Sequence, residues 1–244
     1  MDKIRVGAVS YLNTKPFLWG LQKSGIMDQI ELTIDYPSNI AKGLQVGKLD
    51  MGLVPVAVIP LLKEYYFVGD YGIACDGEVA SVALFSDVPV HAIERVFLDY
   101  QSRTSVALLR ILLKQYWNVE PELIDAKDDF EGQIQGSAAG LVIGDRALEL
   151  RNKKPFVYDL GAAWKAMTGL PFVFAAWVSR KPLPVGFVAD FSLACETGVA
   201  QLEIIEKEYQ SLNFNLYEYY TRNIHFFLDE QKKRGMKKFW ELLG

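Results

Sequence analysis

Apolar and polar positions change over in short blocks along the chain, and the blocks read in turn as strands and helices. Residues 4–9, IRVGAV, form an apolar run of strand length. Residues 16–24 predict a helix, with Pro16 in its first turn and Gly25 as its stop. Residues 31–36 alternate as a half-buried strand does. Ser38 is placed to cap a helix through residue 48, with Ile40 and Leu44 on its inner face. Residues 51–54 predict a short buried strand, and Pro55 the start of a helix through residue 62. Between residues 67 and 85, short β-like runs are separated by Gly69, Gly72 and Gly77. There follow a strand over 96–98, an apolar helix capped by Ser102 or Thr104, and a strand over 123–126. A helix over 134–139 then runs into a strand over 139–143. A strand over 157–160, a helical turn over 162–167, a strand over 173–178 and a helix over 187–208 complete the pattern. The remainder reads as helical and includes His225.

Such alternation predicts an α/β chain, with parallel sheets covered by helices. Ligands of open sheets sit beyond the carboxyl ends of strands, where the next helices begin. The turns after strands are therefore where chemistry is expected. Ser10, Tyr11, Asn13, Thr14 and Lys15 crowd the first such turn, either to cap the next helix or to meet a ligand. Ser102, Arg103, Thr104 and Ser105 follow the 96–98 strand at a helix start. Hydroxyls there, with free backbone N–H groups and the positive end of the helix dipole, suit a carboxylate or phosphate. Arg103 could add a bidentate clamp; an ordinary helix cap with solvated neighbours is the alternative. Asp145 follows Gly144 at the end of another strand, as a base, a hydroxyl ligand or a helix cap. Ser81 stands in an otherwise apolar run, so its hydroxyl needs a partner, either backbone or ligand.

Composition removes several classes of function. The 244 residues are 50 % apolar and 23 % charged, with a formal net charge of −4. No basic excess marks a nucleic-acid binder. Lys232, Lys233, Arg234, Lys237 and Lys238 lie among Asp229, Glu230 and Glu241 and read as a solvated helix face. The longest apolar run, residues 51–62, is too short for a bilayer and holds two prolines. Two cysteines, Cys75 and Cys195, and two histidines have no metal-ligand spacing, and this usage fits a reducing cytoplasm. The N-terminus shows no export signal, which also leads us to expect a cytoplasmic protein. There is no Gly-rich phosphate loop and no G-x-S-x-G elbow. His91 and His225 are not at strand ends, which argues against a His-based triad. Trp164, Phe172, Phe174 and Trp177 read as core packing. The sequence indicates no oligomeric state.

Six segments taken in order, "VSYLNTKP", "PSNIAKGLQVGKLDMGLVP", "GEVASV", "SRTSVALLRILL", "LVIGDRAL" and "YDLGAAWKAMTGLPFVFAAW", resemble the chorismate dehydratase family of the futalosine route to menaquinone. The resemblance implies a two-lobed fold like the type II periplasmic binding proteins, with a central cleft. One lobe would hold residues 1–87 and 180–244 and the other 88–179, with crossings at "SDVPV" and "SRKPLP". It further implies loss of water from chorismate, a small-molecule substrate, without a cofactor. A ring proton and the neighbouring hydroxyl leave, and aromatisation drives the step. Ser10, Tyr11, Asn13 and Ser81 would line one wall, and Ser102, Arg103, Thr104, Ser105 and Asp145 the other. The helix-start group would bind one carboxylate. Asn13 and Ser81 would hold the other carboxylate or the departing hydroxyl, and Asp145 would orient substrate or move a proton. The base could be the substrate's own enolpyruvyl carboxylate, since positioning alone contributes orders of magnitude. Two other readings stand beside this one. The same fold serves non-catalytic solute receptors, and a relative in the pathway cleaves a cyclic futalosine derivative, using a His where this chain has Asp145.

Overall fold

The computed structural model describes residues 3–209 and 214–243. In chain order the elements are β1 (Ile4–Val9), α1 (Lys15–Lys23), β2 (Ile30–Asp35), α2 (Pro37–Gln45), β3 (Met51–Pro55), β4 (Tyr66–Cys75) and β5 (Val82–Ser86). Then come β6 (Arg95–Leu98), α3 (Arg103–Leu112), β7 (Glu122–Asp125), β8 (Ala138–Ile143), α4 (Asp145–Leu150), β9 (Phe156–Asp159) and α5 (Leu160–Thr168). The chain closes with β10 (Phe172–Ser179), α6 (Val185–Val199), α7 (Leu202–Lys207), α8 (Leu216–Glu218), β11 (His225–Phe227) and α9 (Glu230–Leu243).

The strands form two sheets, one ordered β11-β4-β10-β3-β1-β2 and one ordered β7-β6-β8-β5-β9. Each has a parallel heart: β1 pairs with β2 and β3, and β6 with β7 and β8. The remaining pairings are antiparallel, so the sheets are mixed where the alternation pointed to parallel ones. Apart from the edge strand β11 against β4, the reason lies in β5 and β10. Both arrive from the opposite lobe and run against the strands they join, whereas a parallel neighbour requires a crossover within one sheet.

Sheet membership also relocates the crossings. β5 pairs with β8 and β9, and β10 with β3 and β4. The chain leaves the first lobe across residues 76–81 and returns across 169–171, rather than at "SDVPV" and "SRKPLP". Gly77 and Gly169, at φ +113° and +74°, make these turns. The prolines chosen from sequence sit in surface loops of single lobes instead. β5, apolar and wholly buried, belongs inside the second sheet.

Smaller departures have local causes. Pro37 opens α2 and Tyr36 precedes it as the cap, so Ser38 is not the cap. The helix expected over 55–62 is only a 3₁₀ turn, Ile59–Leu61, because β3 runs on to Pro55. Residues 134–139 form no helix. A 3₁₀ turn ends at Gln133 and β8 begins at Ala138, with Gly136 at φ +60° between them. Residues 66–75 are one ten-residue strand, and register shifts within it absorb the glycines. His225 lies on β11, at the edge of the sheet, and not in a helix.

Aromatic packing ties the C-terminal segment to the first lobe. Trp177 sits 6.0 Å from Phe17 and 4.9 Å from Phe191, while Phe239 of α9 packs 5.0 Å from Phe172. Trp164 and Trp177 are fully buried, as their pattern predicted. α1 and α6 cross so closely that a Cβ at Gly20 or Gly198 would strike the other helix's backbone. Among the described residues, no helix is long and apolar enough to cross a membrane.

Candidate active site

The carboxyl ends of β1, β3, β6 and β8 converge on a cavity between the lobes, as expected of open sheets. The space left free inside it is about 60 Å³. The first lobe contributes Val9, Tyr11, Asn13, Leu53, Pro55 and Phe174. Val79, Ser81, Ser102, Ser105, Ile143 and Gly144 face them across the cleft. Among the described residues, no Asp, Glu, Lys, Arg or His lines this space. The walls are apolar, with neutral hydrogen-bonding groups set into them.

Six residues singled out from sequence meet there: Tyr11, Asn13, Thr14, Ser81, Ser102 and Ser105. Ser10, Lys15, Arg103, Thr104 and Asp145 do not line the cavity. Ser10 is partly exposed. Arg103 is exposed and takes no part in the wall, because the first turn of α3 directs the Ser102 and Ser105 side chains inward and Arg103 outward. Thr104 is buried, and its hydroxyl accepts the Ala57 N–H of the other lobe at 3.2 Å. Asp145 accepts the Leu12 N–H, again across the lobes, at 3.1 Å. Burial raises the Asp145 carboxyl pKa above its ordinary value, against the pull of that bond. Thr104 and Asp145 thus join the two walls rather than face the space between them.

Local structure sets each inward group. Ser102 caps α3, accepting the Ser105 N–H at 3.1 Å, and its hydroxyl lies 3.0 Å from that of Ser105. Ser81 ends a three-residue turn closed by its N–H on the Val79 carbonyl at 2.7 Å. Ala80, at the centre of that turn, has φ +61°, a strained value for a residue with a Cβ. Asp159 holds the strain in place by accepting the N–H groups of Val79 and Ala80 at 3.0 and 2.8 Å. Gly144 has φ +65°, and a Cβ there would come within 3.1 Å of the Tyr11 ring. The Tyr11 hydroxyl in turn donates to Gln101.

Below the wall, Asp99 accepts from Gln101 and Ile143 N–H groups and pairs with Arg146 at 2.7 Å. Burial outweighs those contacts and lifts its carboxyl pKa to about 6.

Sequence reasoning missed two residues. Tyr219 donates to the Ser81 hydroxyl at 2.8 Å, and Tyr220 donates to the Leu12 carbonyl at 2.9 Å. Both are buried, in a segment read as generic helix. The run "YEYYTRN" offered a faint signal, since adjacent tyrosines cannot share one face of a regular helix. Here they open a π-turn, Tyr219–Asn223, a feature frequent at functional sites. Phe174, read as packing, does pack 4.7 Å from Phe172 but also lines the cavity.

Two α/β lobes, crossed twice by the chain and enclosing a small polar-studded cavity, define the periplasmic-binding-protein class of fold. Solved structures agree. A gene product of Candida albicans described as having the generic periplasmic binding protein fold superposes with TM-score 0.69 at 12 % identity, covering all of this chain and 90 % of that one. The alkanesulfonate-binding protein of Xanthomonas axonopodis pv. citri, bound to MOPS, gives TM-score 0.66 at 13 % identity, covering 99 % and 92 %. A protein from Archaeoglobus fulgidus gives 0.76 at 16 % identity, covering 98 % and 96 %. The chain belongs to the menaquinone biosynthesis family, whose model matches residues 4–244. It is 32 % identical to a chorismate dehydratase of Thermus thermophilus over 98 % of this chain and 94 % of that one. It is 29 % identical to a chorismate dehydratase of Campylobacter jejuni over 72 % and 69 %.

Proposed function

We propose that this protein is a chorismate dehydratase, a carbon–oxygen lyase that converts chorismate to 3-[(1-carboxyvinyl)oxy]benzoate and water. The observation that carries the reading is a cavity walled by both lobes, apolar but for Tyr11, Asn13, Thr14, Ser81, Ser102 and Ser105, in a chain of this family.

The cavity chemistry suits this elimination. Chorismate presents a flat diene ring, two carboxylates and one hydroxyl. Leu53, Ile73, Ile143 and Phe174 offer apolar surface to the ring. Ser102 and Ser105, at the start of α3, offer hydroxyls and the positive end of a helix to a carboxylate. Asn13 and Ser81 lie where a second carboxylate or the departing hydroxyl would be held. The carbon bearing the enolpyruvyl ether loses its proton, and the adjacent carbon loses its hydroxyl, which departs as water. The new double bond completes the aromatic ring. Since no charged side chain lines the cavity among the described residues, the base in this reading is the substrate's enolpyruvyl carboxylate. The protein's contribution is then to position it and to exclude water around it. Ser10, Arg103, Thr104 and Asp145 stand outside the wall; Thr104 and Asp145 favour the closed cleft through their bonds across the lobes. A cytoplasmic setting, where Cys75 and Cys195 stay reduced, goes with this reading.

Incubation of the pure protein with chorismate tests it. A benzoate-type absorbance should appear as chorismate disappears. Binding without turnover would make the protein a receptor instead. Turnover of a cyclic futalosine derivative in place of chorismate would make it the other enzyme of the pathway.

A further inference from the structure

We infer that Tyr219, outside the cavity wall, is a positioning residue that aims the Ser81 hydroxyl proton at the leaving group. The inference rests on the dehydratase reading. Segments 138 positions apart in sequence meet at this phenol. Tyr219 is 3 % exposed, and its hydroxyl lies 2.8 Å from the Ser81 Oγ.

The direction of each bond follows from what each group can give. The Thr14 hydroxyl donates to the Asn13 Oδ1 at 3.2 Å, which turns the Asn13 NH2 the other way. Burial pushes the pKa of the Tyr219 phenol well up, and Ser81 and Asn13 beside it draw it back only in part, so the phenol keeps its proton. The buried phenol has one proton to give, and the Ser81 Oγ, 2.8 Å away, takes it. Ser81 then has its own proton left. Its protein acceptor is the Val79 carbonyl at 3.5 Å, too long for a good hydrogen bond. The cavity is the better outlet. A hydroxyl leaving from the ring needs a donor as its C–O bond lengthens, and a Ser81 proton already aimed there serves the transition state more than the bound substrate. No proton leaves Tyr219 in this scheme.

The π-turn fits the role. It places Tyr219 and Tyr220 side by side, with ring centroids 5.8 Å apart, so one segment fixes both the Leu12 turn and Ser81.

Tyr219→Phe keeps the ring and removes the donor. It should lower kcat about tenfold and leave KM within about twofold, the loss of one hydrogen bond felt mainly in the transition state. In a Ser81→Ala background, measured by single turnover, the same change should alter the rate less than about twofold. A purely structural tyrosine would instead add its full cost in both backgrounds. 3-Fluorotyrosine at position 219 preserves shape and alters only phenol acidity, and it should shift kcat without shifting KM. Wild-type kcat in Tyr219→Phe, an additive cycle, or an unmoved kcat with fluorotyrosine overturns the inference alone. A wild-type protein that leaves chorismate intact overturns the dehydratase reading and this inference together.

Discussion

The Asp145 carboxylate of the second lobe holds the Leu12 N–H of the first at 3.1 Å, so a single side chain bridges the cleft beside the cavity. The Ala57–Thr104 bond, at 3.2 Å, likewise joins the two lobes. These bonds make lobe closure a matter of side-chain chemistry and separate two roles for Asp145.

If Asp145 works as a bridge, Asp145→Asn retains an acceptor for Leu12 and should keep kcat near wild type. Asp145→Ala should raise KM about tenfold by weakening the closed state, in line with the loss of a hydrogen bond to a charged acceptor. Steady-state kinetics with chorismate distinguish the two. An Asn variant as inactive as the Ala variant would assign Asp145 to proton transfer.

Neighbours on α3 should behave oppositely. Ser105→Ala, which removes a cavity hydroxyl, should raise KM several-fold. Arg103→Ala, at an exposed position, should leave both kinetic constants within about twofold of wild type. Ser102→Ala should additionally cost about 1 kcal/mol of stability, because Ser102 caps the helix. Thermal melts and KM values read the three variants together. A large KM effect in Arg103→Ala would return that guanidinium to the site.

Asp99 should give stability a distinct pH dependence. Its carboxyl pKa stands at about 6 against an ordinary 3.8. Folding therefore takes up a proton between those values. The contribution is complete below about pH 4 and is lost as pH rises through about 6, amounting to roughly 3 kcal/mol for a shift of that size. Carbon-detected titration of the Asp99 carboxyl should show a midpoint near 6. A midpoint below 4 would mean that Arg146 outweighs burial.

Gly144→Ala combines two penalties. It places a Cβ at φ +65° and crowds the Tyr11 ring at 3.1 Å. A loss of about 1–2 kcal/mol is expected, together with a higher KM as Tyr11 shifts into the cavity. An unchanged melting temperature would contradict this account of the turn.

The sequence disclosed those parts of the molecule whose signals are local. An apolar run ending in "SYLNT" announced both β1 and the turn that brings Asn13 to the cavity, and Ser102 announced a helix start. Ser81 was legible because a lone hydroxyl in an apolar run demands a partner. Which residue is that partner was not legible, because Tyr219 lies 138 positions away and only tertiary packing brings it near. Arg103 misled for a related reason: its position in a polar cluster says nothing about which way the first helical turn faces. The crossings were misplaced because proline marks a break in structure without saying between which sheets the break falls. The mixed sheets have the same cause, since β5 and β10 look locally like any other buried strand.

β10 lies between β4 and β3 although it is made about a hundred residues after them. While a ribosome is still delivering the inserted lobe, the nascent first sheet is split: β3 lacks a neighbour on one side and β4 on both, leaving edges open to wrong partners. The inserted lobe, by contrast, emerges as one unbroken stretch and can mature first. The crevice is thus assembled late in synthesis, after Ser179 has emerged to close the gap.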